Sequence, residues 1–291
     1  MSNDIDTITV VCMAGIEDRR LERTLMGGTK AIRDAGKRFT PQYEGEDDSA
    51  YKIRLNSTFL FNGFEDAIKT SSGKVTAKDV ILNDDVPEVI RGYSQNIDGQ
   101  GRNLTAFALD TFREAMIDGI SFIYVDFTEV IPPENGESLL SDQIAQGARP
   151  NTILYRADQV LGFKHTNING QEQLTQIRIL EQVTMPDGLY GERVVDQIRV
   201  LIPGGFELWH LVKVTGVTEK QWVKVKEGIT SIQYIPIVPV YTNRIGYMTG
   251  RPPLKALAEL NLEHWISSSD QRTALTFARF AMMAFSGVQP G

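Results

Sequence analysis

Apolar positions change their period twice along this chain. In the first hundred residues the spacing is helical but weak: in "IEDRRLERTLMGGTKAIRDAG", Leu21, Leu25 and Ile32 form a thin apolar stripe among charges, and Gly27-Gly28 is expected to break it. "YKIRLNSTFLFNGFEDAIKTSSG" places Tyr51, Leu55, Phe59 and Asn62 on one side, predicting one helix that stops at Ser-Ser-Gly. Asp84-Asp85 ahead of Val86-Pro87 marks another helix start, with acid at the positive end of the dipole and proline near the first turn. "RNLTAFALDTFREAMIDG" is clearer. Leu104, Ala108, Thr111, Phe112 and Ala115 share a face, Asp110, Arg113, Glu114 and Asp118 lie off it, and Gly119 ends the helix directly before the strand "ISFIYVDF".

A Pro/Gly/Glu-rich linker from Ile131 to about Pro150 separates this helix and strand from a block of period two. Between Thr152 and Thr242, "TILYR", "QVLGFKHT", "QLTQIRILEQV", "RVVDQIRVLI", "FELWHLVKV", "QWVKVK" and "IQYIPIVPVYT" alternate, rich in Val, Ile and aromatics. Asn169-Gly170, Pro186-Asp187-Gly188 and Pro203-Gly204-Gly205 make the connections short, which favours antiparallel hairpins. The alternation from Gln176 to Glu181 leaves one polar face, and Pro236 and Pro239 place the last strand at an edge. Trp209 and Trp222 sit on strands and are expected to pair across them. From Gly250 to Phe280 the helical period returns. Leu254, Leu257, Ala258, Asn261 and Trp265 form a stripe suited to core packing; three serines and Asp270 interrupt it, and the remainder is apolar nearly all round. The expected class is α+β: a helical N-terminal region (1–101), a long helix and strand (102–130), a linker and antiparallel β-rich insert (131–250) and a second long helix (251–291).

Composition narrows the function. With 30 basic against 37 acidic residues, a net charge of -7 disfavours a general grip on phosphate backbones. The basic-rich stretch Arg19 to Arg38 is expected to be a solvated helix face. A lone Cys12 excludes an intrachain disulfide and a cysteine-based zinc cluster, and acidic residues ahead of a short apolar run do not make a secretory signal. We expect a soluble, intracellular chain with no membrane span.

Catalytic spacings are missing. Gly99-Gln-Gly101 lacks the third glycine of a dinucleotide fingerprint, Ser72-Gly73-Lys74-Val75 lacks the remainder of a phosphate loop, and Gly119-Ile-Ser121 has no second glycine for a nucleophile elbow. The three histidines are dispersed, so no metal or cofactor is expected. Glu44-Gly-Glu46-Asp47-Asp48 and Asp84-Asp85 lack calcium-loop spacing and read as solvated turns.

Three stretches resemble the portal proteins of tailed bacteriophages, in particular an uncharacterised, portal-like phage domain family. They are "KAIRDAGKRFTPQYEGEDDSAYKIRLNSTFLFNGFEDAIKTSSGKV", the helix-Gly-strand junction "AFALDTFREAMIDGISFIYVDF", and, most specifically, "GRPPLKALAELNLEHWISSSDQR". The resemblance runs from about Gly15 to Gly287. It implies a wing made from the N-terminal helices, stem helices at Arg102 to Asp118 and Pro253 to about Phe285, and a clip drawn largely from the β insert. It further implies a ring of about twelve subunits at one capsid vertex, through which double-stranded DNA is packaged and ejected without sequence specificity. Partners would be the terminase large subunit, whose motor hydrolyses the ATP, a tail adaptor, and capsid or scaffold protein. Location would be the virion, and the host cytoplasm during assembly.

Under that resemblance, Glu259, Glu263, Ser267, Asp270 and Gln271 are channel-facing candidates, and Leu104, Ala108, Phe112, Leu254, Leu257 and Trp265 are candidates for helix packing or subunit contact. The family continues past its second stem helix into an inner-channel loop, further helices and a crown, so a truncation, a decayed prophage gene or a split reading frame is expected here. Two rivals stand beside the portal reading. A monomeric head-tail adaptor or scaffold module predicts complete burial of the Leu254 to Trp265 stripe within one chain. An enzyme with an unrecognised site predicts a deep pocket with convergent Asp, Glu or His and displaced pKa values.

Overall fold

The computed structural model describes residues 4–127, 147–213 and 219–279. Its helices are α1 (Val10–Asp18), α2 (Arg20–Met26), α3 (Gly28–Ala35), α4 (Asp48–Ser57), α5 (Gly63–Val75), α6 (Glu88–Gln95), α7 (Leu104–Asp118) and α8 (Lys255–Arg279). Between α7 and α8 run β1 (Ile120–Phe127), β2 (Pro150–Arg156), β3 (Val160–Ile168), β4 (Gln171–Asp187), β5 (Gly191–Ile202), β6 (Gly205–Lys213) and β7 (Lys220–Ile229), then β8 (Ile237–Tyr241), β9 (Arg244–Gly246) and β10 (Thr249–Gly250). The class is α+β with antiparallel sheets, as the change of period implies. Most of the expected Ile131 to Pro150 linker lies outside the described residues.

The chain forms two compact units, Met1–Arg19 with Thr70–Pro253, and Arg20–Lys69 with Leu254–Gly291. In the first, the order β2-β1-β8 makes one antiparallel sheet and β3-β4-β5-β6-β7 a meander. Asn169 and Gly170, at φ 53° and 81°, make the two-residue turn between β3 and β4, because paired positive-φ residues match the right-handed strand twist. Pro239 is on edge strand β8, opposite Phe122, as expected for a residue with no N–H to donate. Alternation on β1 sends Ile120, Phe122 and Tyr124 into a core shared with Ile177, Ile179 and Leu201 of the meander. Ser121 of β1 points the other way and donates to the Thr111 carbonyl of α7 at 3.0 Å.

The polar face expected on β4 is not left to water. Residues 5–9 lie against it: Arg178 donates to the carbonyls of Ile5 (2.6 Å) and Thr7 (2.7 Å), and Thr9 N–H reaches the Leu161 carbonyl at 2.8 Å. Ile5 and Ile8 pack with Leu161, Ile198 and Val200, and Trp209 and Trp222 close the same cluster. The two tryptophans are diagonal neighbours, since Trp209 faces Lys224 and Trp222 faces Leu211.

Arg19 departs from the solvated reading of the basic stretch. It is buried, donating to the Asp118 carbonyl at 2.8 Å and the Gly250 carbonyl at 2.9 Å, so a cation meets the negative end of α7. Asp118, expected off the buried face, is itself fully buried and accepts from Ala157 N–H at 3.3 Å. Gly119 caps the helix at φ 81°. A side chain there would collide with the Arg251 carbonyl crossing the junction.

In the second unit the single helix expected over 51–73 is two. α4 ends at Thr58, which turns extended (φ -85°, ψ 140°), and α5 restarts at Gly63 and runs through Ser71-Ser72-Gly73 to Val75. The break has partners for its backbone: Thr58 C=O accepts from Arg33 at 2.7 Å, Leu60 N–H donates to Thr29 Oγ1 at 3.2 Å, and Phe61 C=O accepts from Asn261 Nδ2 at 2.9 Å. These tertiary bonds replace the helical ones. Gly27-Gly28 breaks α2 from α3 as expected, with Gly28 at φ 68°.

Candidate functional site

α8 runs unbroken through Ser267-Ser268-Ser269-Asp270, as the single long helix expected here requires, and Ser269, read as part of a break in the buried stripe, lies on that stripe. Its buried line is Ala258, Asn261, Trp265 and Ser269, a 3-4-4 spacing that keeps one side of the helix inward. Trp265 is fully buried and its indole N–H donates to Thr40 Oγ1 at 2.8 Å. Asn261 Oδ1 accepts from Phe64 N–H at 2.8 Å while its amide holds Phe61, so one side chain staples the start of α5. Leu254 and Leu257 are only half-buried.

Beside this line sits an ion cluster. Arg54 forms a fork with Glu46, Nε to Oε1 and Nη2 to Oε2 both at 2.8 Å, and reaches the Pro41 carbonyl (2.8 Å) and Ser269 Oγ (3.2 Å). Tyr43 stacks on the guanidinium at 3.9 Å and donates its hydroxyl to Asp270. The Arg54 hydrogen bonds hold the Glu46 carboxyl below its ordinary value, and burial followed by the Asp270 bond pushes the Tyr43 phenol up to about 12. Asp47 accepts from Ser49 and Ala50 N–H at 2.8 and 2.9 Å and caps α4. The acidic turn, expected to be merely solvated, is thus a structural joint.

All five channel-facing candidates, Glu259, Glu263, Ser267, Asp270 and Gln271, are exposed and lie opposite the buried line. Asp270 is tied down by Tyr43. On α7 the buried residues are Phe107, Thr111, Ala115, Ile117 and Asp118, so the inward face is rotated from the one read in the sequence. Leu104, Ala108 and Phe112 are half-buried instead, and they line an apolar cleft of about 820 Å³ with α6 and the outer face of β1. Val89 and Ile90 form its exposed rim, and among the described residues Arg149 is its one charged lining residue. A second groove of about 800 Å³ is polar; it pairs Arg102 with Asp110 at 2.9 Å and Arg156 with Asp158 at 3.0 Å, and Arg113 and Glu114 line it as well.

One cluster has the ingredients of an active site. Between the two sheets Arg199 meets Glu181 at 2.9 Å and Asp126 at 3.3 Å, Tyr155 and Gln197 both donate to Glu181, and His210 joins Gln197 at 2.8 Å. Burial raises the Tyr155 and Tyr124 phenols; it also opposes the Arg199 charge, but Tyr155, Glu181 and Asp126 outweigh it and raise that pKa too. Arg199 holds both carboxylates, Asp126 of β1 and Glu181 of β4, and so links the two sheets. Among the described residues no group of three His, Cys, Asp or Glu is placed to hold a metal, and no helix is long and apolar enough to cross a membrane.

The sequence model of a domain of unknown function (DUF4055) matches residues 253–291, a span that takes in all of α8. No curated protein matches the chain.

Proposed function

We propose that this chain is a portal-like subunit that assembles into a ring at a phage capsid vertex, through which double-stranded DNA passes without sequence specificity. The observation that carries the reading is α8. The family match covers it, it overlaps most of the stretch that most specifically resembles a portal stem, and its polar exposed line lies opposite its buried line. An acidic, exposed helix face suits a channel wall, because phosphates slide past carboxylates and would stick to a basic lining. In this reading α7 and α8 are the stem helices. The β-rich region meets the terminase large subunit and a tail adaptor, capsid or scaffold protein contacts the ring, and the chain performs no chemistry of its own. It acts in the virion and, during assembly, in the host cytoplasm.

The first test is the mass of the purified particle by light scattering, with electron microscopy of the same peak. A ring of many 32.5 kDa chains is expected, and a monomer at all accessible concentrations counts against it. With a ring in hand, Glu259→Lys with Glu263→Lys should slow DNA passage; an unchanged rate removes these residues from the channel. A monomeric head-tail adaptor asks for complete burial of the Leu254 to Trp265 stripe within one chain: Ala258, Asn261 and Trp265 are buried in the second unit, whereas Leu254 and Leu257 are half-buried. That reading has a clean monomer as its expected outcome.

A further inference from the structure

Among the described residues of the first unit, two exposed apolar features have opposite shapes. One is the cleft over α7, whose rim residue Val89 is 81% exposed. The other is the tip of the β4–β5 hairpin. The last well-buried residue on this hairpin is Val195, opposite Val183; beyond that pair the ladder continues to Asp187 opposite Gly191. Four further residues per strand carry the tip about 14 Å outward. At its end Leu189 and Tyr190 are 84% and 95% exposed. A leucine and a tyrosine at the end of a two-stranded arm, both exposed, form a compact apolar plug of the kind that anchors interfaces.

We propose that Leu189 and Tyr190 of one copy seat in the α7 cleft of a second copy. Charge favours this occupant: the tip segment Asp187 to Glu192 carries two exposed carboxylates and no cation, and the one charged residue among the described residues lining the cleft is Arg149, whose guanidinium keeps its positive charge while donating to the neutral carbonyls of Asn96 and Pro150. The cleft volume of about 820 Å³ lies within the usual range of about 300–1,000 Å³ for sites that engulf a compact apolar group. Because plug and cleft are different surfaces of one chain, the contact is heterologous. Each copy offers a plug to one neighbour and a cleft to the other, so the series closes into a ring or grows as a filament. The proposal rests on the ring reading above and supplies its contact.

Light scattering on Leu189→Ser/Tyr190→Ser and, separately, on Val89→Asp tests it. All three positions are exposed, so folding is spared. Each variant is expected to fall from the assembly to 32.5 kDa chains, and an equimolar mixture of the two to give a heterodimer, since one plug and one cleft remain intact between them. The weakening per contact should be about 100-fold, the effect of losing a central aromatic anchor. In a second experiment, Val89→Cys/Tyr190→Cys with Cys12→Ser should give a disulfide ladder of chains under oxidation. A wild-type ring whose mass both variants keep, with no ladder, overturns the contact and leaves the ring reading standing. Cross-linked filaments uphold the contact and overturn the ring. A wild-type monomer without a ladder overturns both.

Discussion

Trp265→Ala should unfold the second unit. The side chain is fully buried, and a buried indole removes about 150–250 Å² from water. At about 25 cal/mol per Å² the loss is roughly 4 to 6 kcal/mol, in line with the 3 to 5 kcal/mol typical of large aromatic truncations. Thr40, 1% exposed, also loses its donor, adding about 1 kcal/mol. The sum approaches the whole stability of a small domain, about 5–15 kcal/mol. Trp265→Phe separates the terms: it keeps most of the ring but not the N–H, and should cost about 1–2 kcal/mol. Adding Thr40→Val to Trp265→Phe should then change little, because the bond is already gone. Hydrogen exchange read on peptides from α4 and α8, against peptides from β4 and β5 as the internal reference, assigns the loss to the right unit. A Trp265→Ala protein whose α4 and α8 amides exchange no faster than wild type refutes the packing argument.

Two further outcomes follow from named contacts. Gly119→Ala places a Cβ on the Arg251 carbonyl in a left-handed residue, and should lower stability by about 3 kcal/mol or prevent folding, as read by urea denaturation; a loss under about 1 kcal/mol refutes the close crossing. The Glu46 carboxyl is held below its ordinary value by Arg54, so its contribution is complete above the unfolded pKa of about 4.3 and is lost as pH falls through the lower folded value. Glu46→Gln should therefore flatten the acid limb of the stability curve, and an unchanged limb argues against the fork.

Much of the fold is legible because it is local. Period two with Asn169-Gly170 specifies β3–β4, and Gly119 after an amphipathic run specifies the α7–β1 junction. What the sequence hides is long-range. The helix pattern over 51–73 is real, yet Arg33, Thr29 and Asn261 offer the 58–62 backbone better partners, and Asn261 lies 197 residues from Phe64. Arg19 reads as one more surface charge until Gly250, 231 residues away, is brought to it. On α7 the buried set is Phe107, Thr111, Ala115, Ile117 and Asp118, whereas Leu104, Ala108 and Phe112, which share a helical face with Thr111 and Ala115, are half-buried in the cleft wall, a difference set by packing on β1 and not by helical period. On α8 the spacing gives one long helix and puts Ala258, Asn261 and Trp265 on the buried line, but Leu254 and Leu257 are half-buried and Ser269, read as interrupting the stripe, continues it.

The two ends of α8 are in different physical situations. As far as Ser269 it buries one residue per turn, whereas Ala274, Leu275 and Thr276 are exposed, Leu275 by 58%. Helices draw most of their stability from the face they bury, so these last turns gain little from the unit they extend. A helix that exposes leucine beyond its packed portion is stabilised by whatever covers it, and under the ring reading that is a neighbouring subunit. Amides of residues 271–279 should then exchange rapidly in dissociated chain and slow by at least about tenfold on assembly, while those around Trp265 are slow in both. Equal, slow exchange of 271–279 in dissociated chain would mean that the helix end needs no neighbour, and the apolar residues on it would lose their bearing on assembly.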